Sequence, residues 1–234
     1  MSMKAISKFF AAAALLAVAA VSAPKASAQE LEFGSVKIGS DIEFNMGLGF
    51  GINFFSGIDD DSVYEPMQKA WGLDFSFNFA EFYWGFDQSN SVYLTLGLEN
   101  KSFRMRDNFG YGKEPLTETL VMVPYADMKM SALRVFSWNV GMGYRYEANK
   151  DLAFQVGPIV NFNTGSRIKT KYYDANDKKH KEKTKWGHQE LVTIEAMGMI
   201  EFHGIGLYVK YNPFPLLEKD YGPEVTTWSV GIML

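Results

Sequence analysis

The chain has 234 residues, a formal net charge of -4 and no cysteine. That length makes one domain or at most two, and the missing cysteine removes disulfides, thiolate metal sites, a cysteine nucleophile and a lipidated cysteine. The near-neutral charge offers no basic footprint for nucleic acid, which is excluded as a partner.

Residues 1–28 read as a signal peptide: Lys4 and Lys8 give a positive start, Phe9 to Val21 an apolar run, and Ala26-Ser27-Ala28 a small-residue cleavage pattern. The expected product is an exported domain, 29–234. Its first element is Val36 to Ile52, in which Val36, Ile38, Ile42, Phe44, Met46, Leu48, Phe50 and Ile52 alternate with Lys37, Gly39, Asp41, Glu43, Asn45, Gly47, Gly49 and Gly51. This predicts one long two-faced strand, far longer than the roughly five or six residues usual in a soluble sheet.

A polar loop, Phe54 to Lys69, precedes a second strand with Trp71, Leu73, Phe75, Phe77 and Phe79 on one face and Gly72, Asp74, Ser76, Asn78 and Ala80 on the other. After a turn at Phe86 to Asn90, Val92, Leu94, Leu96 and Leu98 interleave with Tyr93, Thr95, Gly97 and Glu99. Arg106 to Lys129 reads as a large loop whose middle, Leu120 to Val123, extends a hairpin. A fourth strand, Ser131 to Tyr146, sets Phe136, Trp138, Val140, Met142, Tyr144 and Tyr146 against Ser137, Asn139, Gly141, Gly143 and Arg145. In the fifth, Leu152, Phe154, Val156, Val160 and Phe162 oppose Ala153, Gln155, Gly157, Asn161 and Asn163, and Pro158 suggests a bulge. The charged stretch Arg167 to His188 reads as a loop. The sixth strand, Leu191 to Phe202, meets the seventh, Ile205 to Tyr211, through the short turn His203-Gly204. Asn212 to Glu224 forms the last long loop, and Trp228, Val230, Ile232 and Leu234 alternate along the eighth strand.

Short and long connections therefore alternate, with all short turns at one end and all long loops at the other. The prediction is an all-β fold, an eight-stranded antiparallel up-and-down transmembrane β-barrel of the outer membrane. Side-chain volume sets the facing: an eight-stranded barrel is only just filled by its own side chains, so the large apolar residues face lipid. The polar face then lines the lumen and brings an ionic core of Lys37, Asp41, Glu43, Asp74, Glu99, Lys101, Arg145, Glu195, Glu201 and Lys210. Each cation turned into lipid instead would cost roughly 2–4 kcal/mol near the midplane. Trp71, Trp84, Trp138, Tyr144, Tyr146, Tyr211 and Trp228 are expected to form interfacial girdles.

The eight alternating strands and the stretch SALRVFSWNVGMGYRYEANKDLAFQVGPIVNFNTGSRIKTKYY resemble the small outer-membrane barrels of Bacteroidetes, the PorT-like or OmpA-type family. The resemblance implies insertion by the barrel-assembly machinery, which in that family reads a closing strand that usually ends on an aromatic residue; here it ends on Leu234.

The inward carboxylates fit a structural ionic plug better than an ion path. Arg167, Lys169, Lys171, Lys178, Lys179, Lys181, Lys183 and Lys185 make the long loop after the fifth strand basic, suited to the phosphates of lipopolysaccharide. Asp59-Asp60-Asp61 lacks the spacing of a calcium loop, and His180, His188 and His203 stand singly, so no metal or cofactor is expected. His188 with Asp174 or Asp177 lacks an evident nucleophile within reach, so no enzyme is expected. The function predicted is a structural or surface-interaction role, through the loops, with outer-membrane lipid and surface partners. A narrow pore through the lumen is the alternative, and a soluble periplasmic lipocalin-like barrel is a third reading.

Overall fold

The structure, a computed structural model, describes residues 36–38, 42–60, 62–105, 108–174 and 176–234. The proposed signal peptide lies outside the described residues. Among the described residues twelve strands follow in chain order. β1 (Val36–Ile38), β2 (Ile42–Ser56), β3 (Trp71–Gly85) and β4 (Asn90–Met105) come first, then the short β5 (Phe109–Lys113) and β6 (Leu120–Pro124). β7 (Asp127–Asn149) and β8 (Leu152–Tyr173) are the longest, and β9 (Lys179–Lys185), β10 (Val192–Phe202), β11 (Ile205–Asn212) and β12 (Thr226–Met233) complete the chain.

Eight of them, β2, β3, β4, β7, β8, β10, β11 and β12, each pair antiparallel with the next, and β12 pairs with β2, so the sheet closes on itself. Closure gives each of these eight strands a partner on both sides. At the seam Trp228 lies opposite Phe54 and Val230 opposite Ile52, and Leu48 and Leu234 exchange backbone hydrogen bonds of 2.8 and 2.9 Å. The fold is an eight-stranded antiparallel barrel, as the alternation predicts.

The turns at one end are tight. His203 and Gly204 both have positive φ, 50° and 78°, the geometry that matches the twist of a two-residue hairpin and that glycine supplies without strain. Asp87 accepts backbone hydrogen bonds from Ser89 and Asn90 at 2.8 and 2.7 Å, closing the β3–β4 turn. The other end carries the long connections, 57–70, 106–126, 174–191 and 213–225, which include a 3-10 turn at Glu65–Lys69, the β5–β6 hairpin and β9.

Four expectations change. Val36 to Ile52 is not one strand: β1 pairs antiparallel with the start of β2, Val36 opposite Phe44 and Ile38 opposite Ile42. Those partners have the same parity, so an alternating pattern reads alike whether the chain runs straight or doubles back. Pro158 causes no bulge, because the β7–β8 register is the same on both sides of it. The shifts in that pairing lie instead between Met128 and Met130, Phe136 and Ser137, and Glu147 and Asn149. Arg167 to His188 is not a free loop, since β8 runs on to Tyr173 and pairs with β9. The fourth strand starts at Asp127 rather than Ser131, leaving a shorter loop.

Candidate functional site

Side chains along each barrel strand alternate between wall and lumen. Leu207 is 63% exposed and Tyr208 beside it 1%, and the same contrast separates Val156 from Gln155 and Ile200 from Met199. The outward row is large and apolar. In water such a continuous surface is a liability, and in lipid it is the solvent-matched face.

Among the described residues, polar and ionic side chains line the lumen in successive layers. At the short-turn end the Arg145 guanidinium donates to both Glu201 oxygens at 2.5 and 3.2 Å and to Glu147 at 3.0 Å, and lies over the Tyr83 ring. Next comes Glu81, which accepts from Asn78 Nδ2 at 2.7 Å and from the Tyr83 hydroxyl at 3.0 Å. Sequence pattern missed Glu81 and Tyr83: a register shift between Asn78 and Ala80 changes the parity of β3 and turns these odd-numbered positions inward.

The central cluster joins Asp74, Glu99, Lys101, Glu195 and Lys210. Lys210 Nζ stands 2.7 Å from Glu99 Oε1 and 3.4 Å from Asp74 Oδ2; Lys101 Nζ stands 3.4 Å from Glu99 Oε2 and bonds directly to Glu195. All five are nearly inaccessible to water. Tyr208 adds a hydrogen bond to Asp74 at 3.2 Å and lays its ring beneath the Lys210 ammonium. That ring sits over Gly51 and Gly231, where a Cβ would come within 2.4 and 2.7 Å of its atoms, so these glycines make the space for it. The lumen cavity beside the cluster, between Ser76, Glu81, Thr95, Gln155, Met197 and Lys210, holds about 20 Å³, room for about one water. Of the expected ionic core, seven residues are thus in the lumen in two groups, Asp74, Glu99, Lys101, Glu195 and Lys210 at the centre and Arg145 with Glu201 below. The side chains of Lys37, Asp41 and Glu43 fall outside the described residues.

Above this cluster the lumen turns apolar. Phe55, Phe103, Met105, Leu133, Val135 and Ile168 point inward from the strand ends and pack against Met67, Tyr111, Leu120, Trp186, Leu216, Leu217 and Val225 from the long connections. Phe55 and Phe103 stack at 4.1 Å. The β5–β6 hairpin is held down by the Tyr111 amide, which donates to Ser131 Oγ at 2.9 Å, and by the Leu120 amide, which donates to the Tyr221 carbonyl at 2.7 Å. The loops therefore form a packed cap over the mouth. His188 ties three of them together: Nε2 is 2.8 Å from Glu118, Nδ1 is 3.3 Å from Glu218, and its ring stacks on Tyr221 at 3.7 Å.

The basic residues sit on the outside of the wall, beyond the apolar belt. In the β8–β9 ladder Arg167 lies opposite Lys185, Lys169 opposite Lys183 and Lys171 opposite Lys181. Arg134 of β7 lies opposite Arg167, and Arg104 of β4 shares the outward face of its strand. Sequence reasoning missed Arg104 and Arg134, although each interrupts an apolar row with a cation. Lys178 is on the β8–β9 turn, and Lys179 pairs with Tyr173 at the ladder's end.

The aromatic residues divide between the two ends. Tyr211, Trp228 and Trp71 stand near the long-loop end, with Tyr211 and Trp228 stacked at 4.3 Å; Trp84, Tyr144 and Tyr146 stand near the short turns; Trp138 lies mid-strand between Leu98 and Phe162. Among the remaining candidates, His180 bonds Asp174 at 2.8 Å and His203 bonds Asp151 at 3.1 Å, while Asp60 accepts from Gln68 at 2.7 Å. Among the described residues these side chains do not gather into a metal-binding group.

No family model matches the chain, and no curated protein matches it. Among solved structures it is similar to Ail, the attachment invasion locus protein of Yersinia pestis, at 10% identity and a TM-score of 0.34, over 83% of this chain and 99% of that one. The structure of Ail in complex with the heparin analogue sucrose octasulfate matches at 10% identity and a TM-score of 0.35, over 83% of this chain and 100% of that one.

Proposed function

We propose that the protein is an exported, outer-membrane-embedded barrel that works as a surface-interaction protein through its folded outer cap rather than as a pore. The observation that carries this reading is the closed lumen. Two buried lysines cross-link three buried carboxylates across it, the space left beside them admits about one water, and an apolar cap covers the mouth. An ion crossing such a core would have to displace paired, desolvated charges. Membrane placement is supported by the apolar outer wall, and by the resemblance of residues 131–173 to small Bacteroidetes barrels. On this reading residues 1–28 direct export, the assembly machinery inserts the chain, and the long-loop end faces outward to meet surface partners.

The test is planar-bilayer recording of the mature chain after refolding, with a heat-shift gel to establish a closed barrel. Insertion without steady openings is expected. Reproducible openings of the folded barrel would overturn the closed-lumen reading and put transport in its place.

A further inference from the structure

We propose that the cationic rows on the outward face of β4, β7, β8 and β9 bind the phosphate groups of a glycolipid in the surrounding outer leaflet. This deepens the reading above and rests on its membrane placement. Three cross-strand rows carry the charge: Arg134, Arg167 and Lys185 in one; Lys169 and Lys183 in the next, with Arg104 beyond Ala132; Lys171 and Lys181 in the third. Like charges set directly opposite on one face of an antiparallel ladder repel, and here they are repeated in successive rows. Among the described residues none of these cations forms an ion pair with a carboxylate. Glu182, the one acid of β9, points to the opposite face, where it accepts from the Tyr172 hydroxyl. Arg104 Nε and Arg134 Nε are shielded from water without a hydrogen-bond partner. The arrangement lacks its counter-charge, and an anion with several oxygens supplies it.

Position selects the source of that anion. The rows are on the wall, not on the loop tips, and they continue directly into the lipid-facing row: Phe136 follows Arg134 on the same face of β7, and Trp138 follows Phe136. A groove of about 790 Å³ opens there, lined by Asn100, Arg134, Phe136, Arg167, Lys183 and Lys185. A ligand whose phosphates meet the guanidinium and ammonium groups therefore has its apolar part against Phe136. Arginine offers paired donors to each phosphate, and lysines add point charge. A soluble polyanion would gain nothing from the Phe136 ring or the apolar row that continues from it, whereas a lipid uses both these and the cations.

The experiment places the folded mature chain in phosphatidylcholine nanodiscs doped with diphosphoryl lipid A and measures, by mass spectrometry, the lipid A retained after washing. Wild type is expected to hold it, and the triple variant Arg134→Gln, Arg167→Gln, Lys185→Gln to retain more than about tenfold less, since each charge near a membrane surface is worth roughly fivefold and three are removed. Lys150→Gln, at the short-turn end, is expected to behave as wild type. Equal retention by wild type and the triple variant overturns the proposal. Salt provides a measurement independent of that variant's folding: retention by wild type must fall as ionic strength rises, and a salt-insensitive signal overturns the proposal. Binding of inositol hexakisphosphate without retention of lipid A would make this a soluble-polyanion site and also overturn it. A chain that never enters the discs sinks the membrane reading itself, while entry without lipid A retention sinks this inference alone.

Discussion

The lower and upper parts of the barrel use the same strands with opposite signs. On β4, Leu94, Leu96 and Leu98 face outward and Thr95, Gly97 and Glu99 inward; a few residues on, Arg104 faces outward and Phe103 and Met105 inward. β7 repeats the change between Trp138/Asn139 and Arg134/Val135, and β8 between Phe162/Asn161 and Arg167/Ile168. On the membrane placement proposed above, the direction of alternation follows the medium outside the wall. Where that medium is apolar the lumen takes the charges, and where it is polar the lumen takes the apolar side chains and needs loops to finish a core.

The two regions should also fail differently. Lys210→Met removes from the lower region the cation nearest Glu99 and bonded to Asp74, leaving charge buried without its partner. A loss of about 3–5 kcal/mol is expected in urea unfolding of the refolded barrel. A loss below about 1 kcal/mol, the scale of a hydrated surface pair, would show that the cluster is wet and weaken the closed-lumen reading.

Leu120→Ala strikes the upper region, where Leu120 is fully buried in the cap. The cost is expected at about 2–3 kcal/mol, toward the low end for a buried leucine because a loop core can collapse. It should appear as faster proteolysis within 113–120 while the heat-shift gel still shows an intact barrel. If the barrel melts with the cap, the two regions are one cooperative unit and do not differ energetically.

A smaller effect tests how closely the lower lumen is packed. Gly51→Ala brings a Cβ to 2.4 Å from the Tyr208 hydroxyl and 2.8 Å from the Val230 carbonyl oxygen. Since that carbonyl is backbone and Tyr208 is fixed by Asp74, overpacking of about 1–3 kcal/mol is expected in the same urea assay. Unchanged stability would mean that Tyr208 swings away, and that the lumen is looser than the hydrogen bonds to Asp74 imply.

Strand number, wall facing and the inward placement of Asp74, Glu99, Lys101, Glu195 and Lys210 were legible because a period of two reports which residues share a face. What stayed hidden is what changes parity or direction without disturbing composition. The register shift near Phe79 carried Glu81 inward, and the reversal that folds β1 onto β2 kept Val36 and Phe44 on one face. The cap was hidden for another reason: Phe103, Leu133 and Ile168 alternate as strand residues do, but their partners Leu120, Trp186 and Leu217 come from segments with no period at all. The signal available was the switch from leucine to arginine on the outward rows at Arg104 and Arg134.

The smallest effect expected is a pH dependence confined to the upper region. Glu118 accepts from Lys113 Nζ at 2.6 Å and bonds His188 Nε2 at 2.8 Å, and these contacts, that of Lys113 first, hold its carboxyl below the ordinary value of 4.5. A carboxyl depressed in the folded state adds stability that is fully present above its unfolded pKa and is lost as pH falls through the lower folded value. The contribution of the Glu118 carboxylate should thus be fully present above about 4.5 and fall away below it, with solvent exposure keeping the effect small. Proteolysis of 113–120 by an acid-active protease, followed from pH 6 to pH 3, should accelerate in wild type below that point. Glu118→Gln should be faster than wild type at pH 6 and lose most of the acceleration, because it has no proton to gain. Parallel profiles for the two proteins would mean that acid acts elsewhere, and that the cap is held by its apolar core without help from this contact.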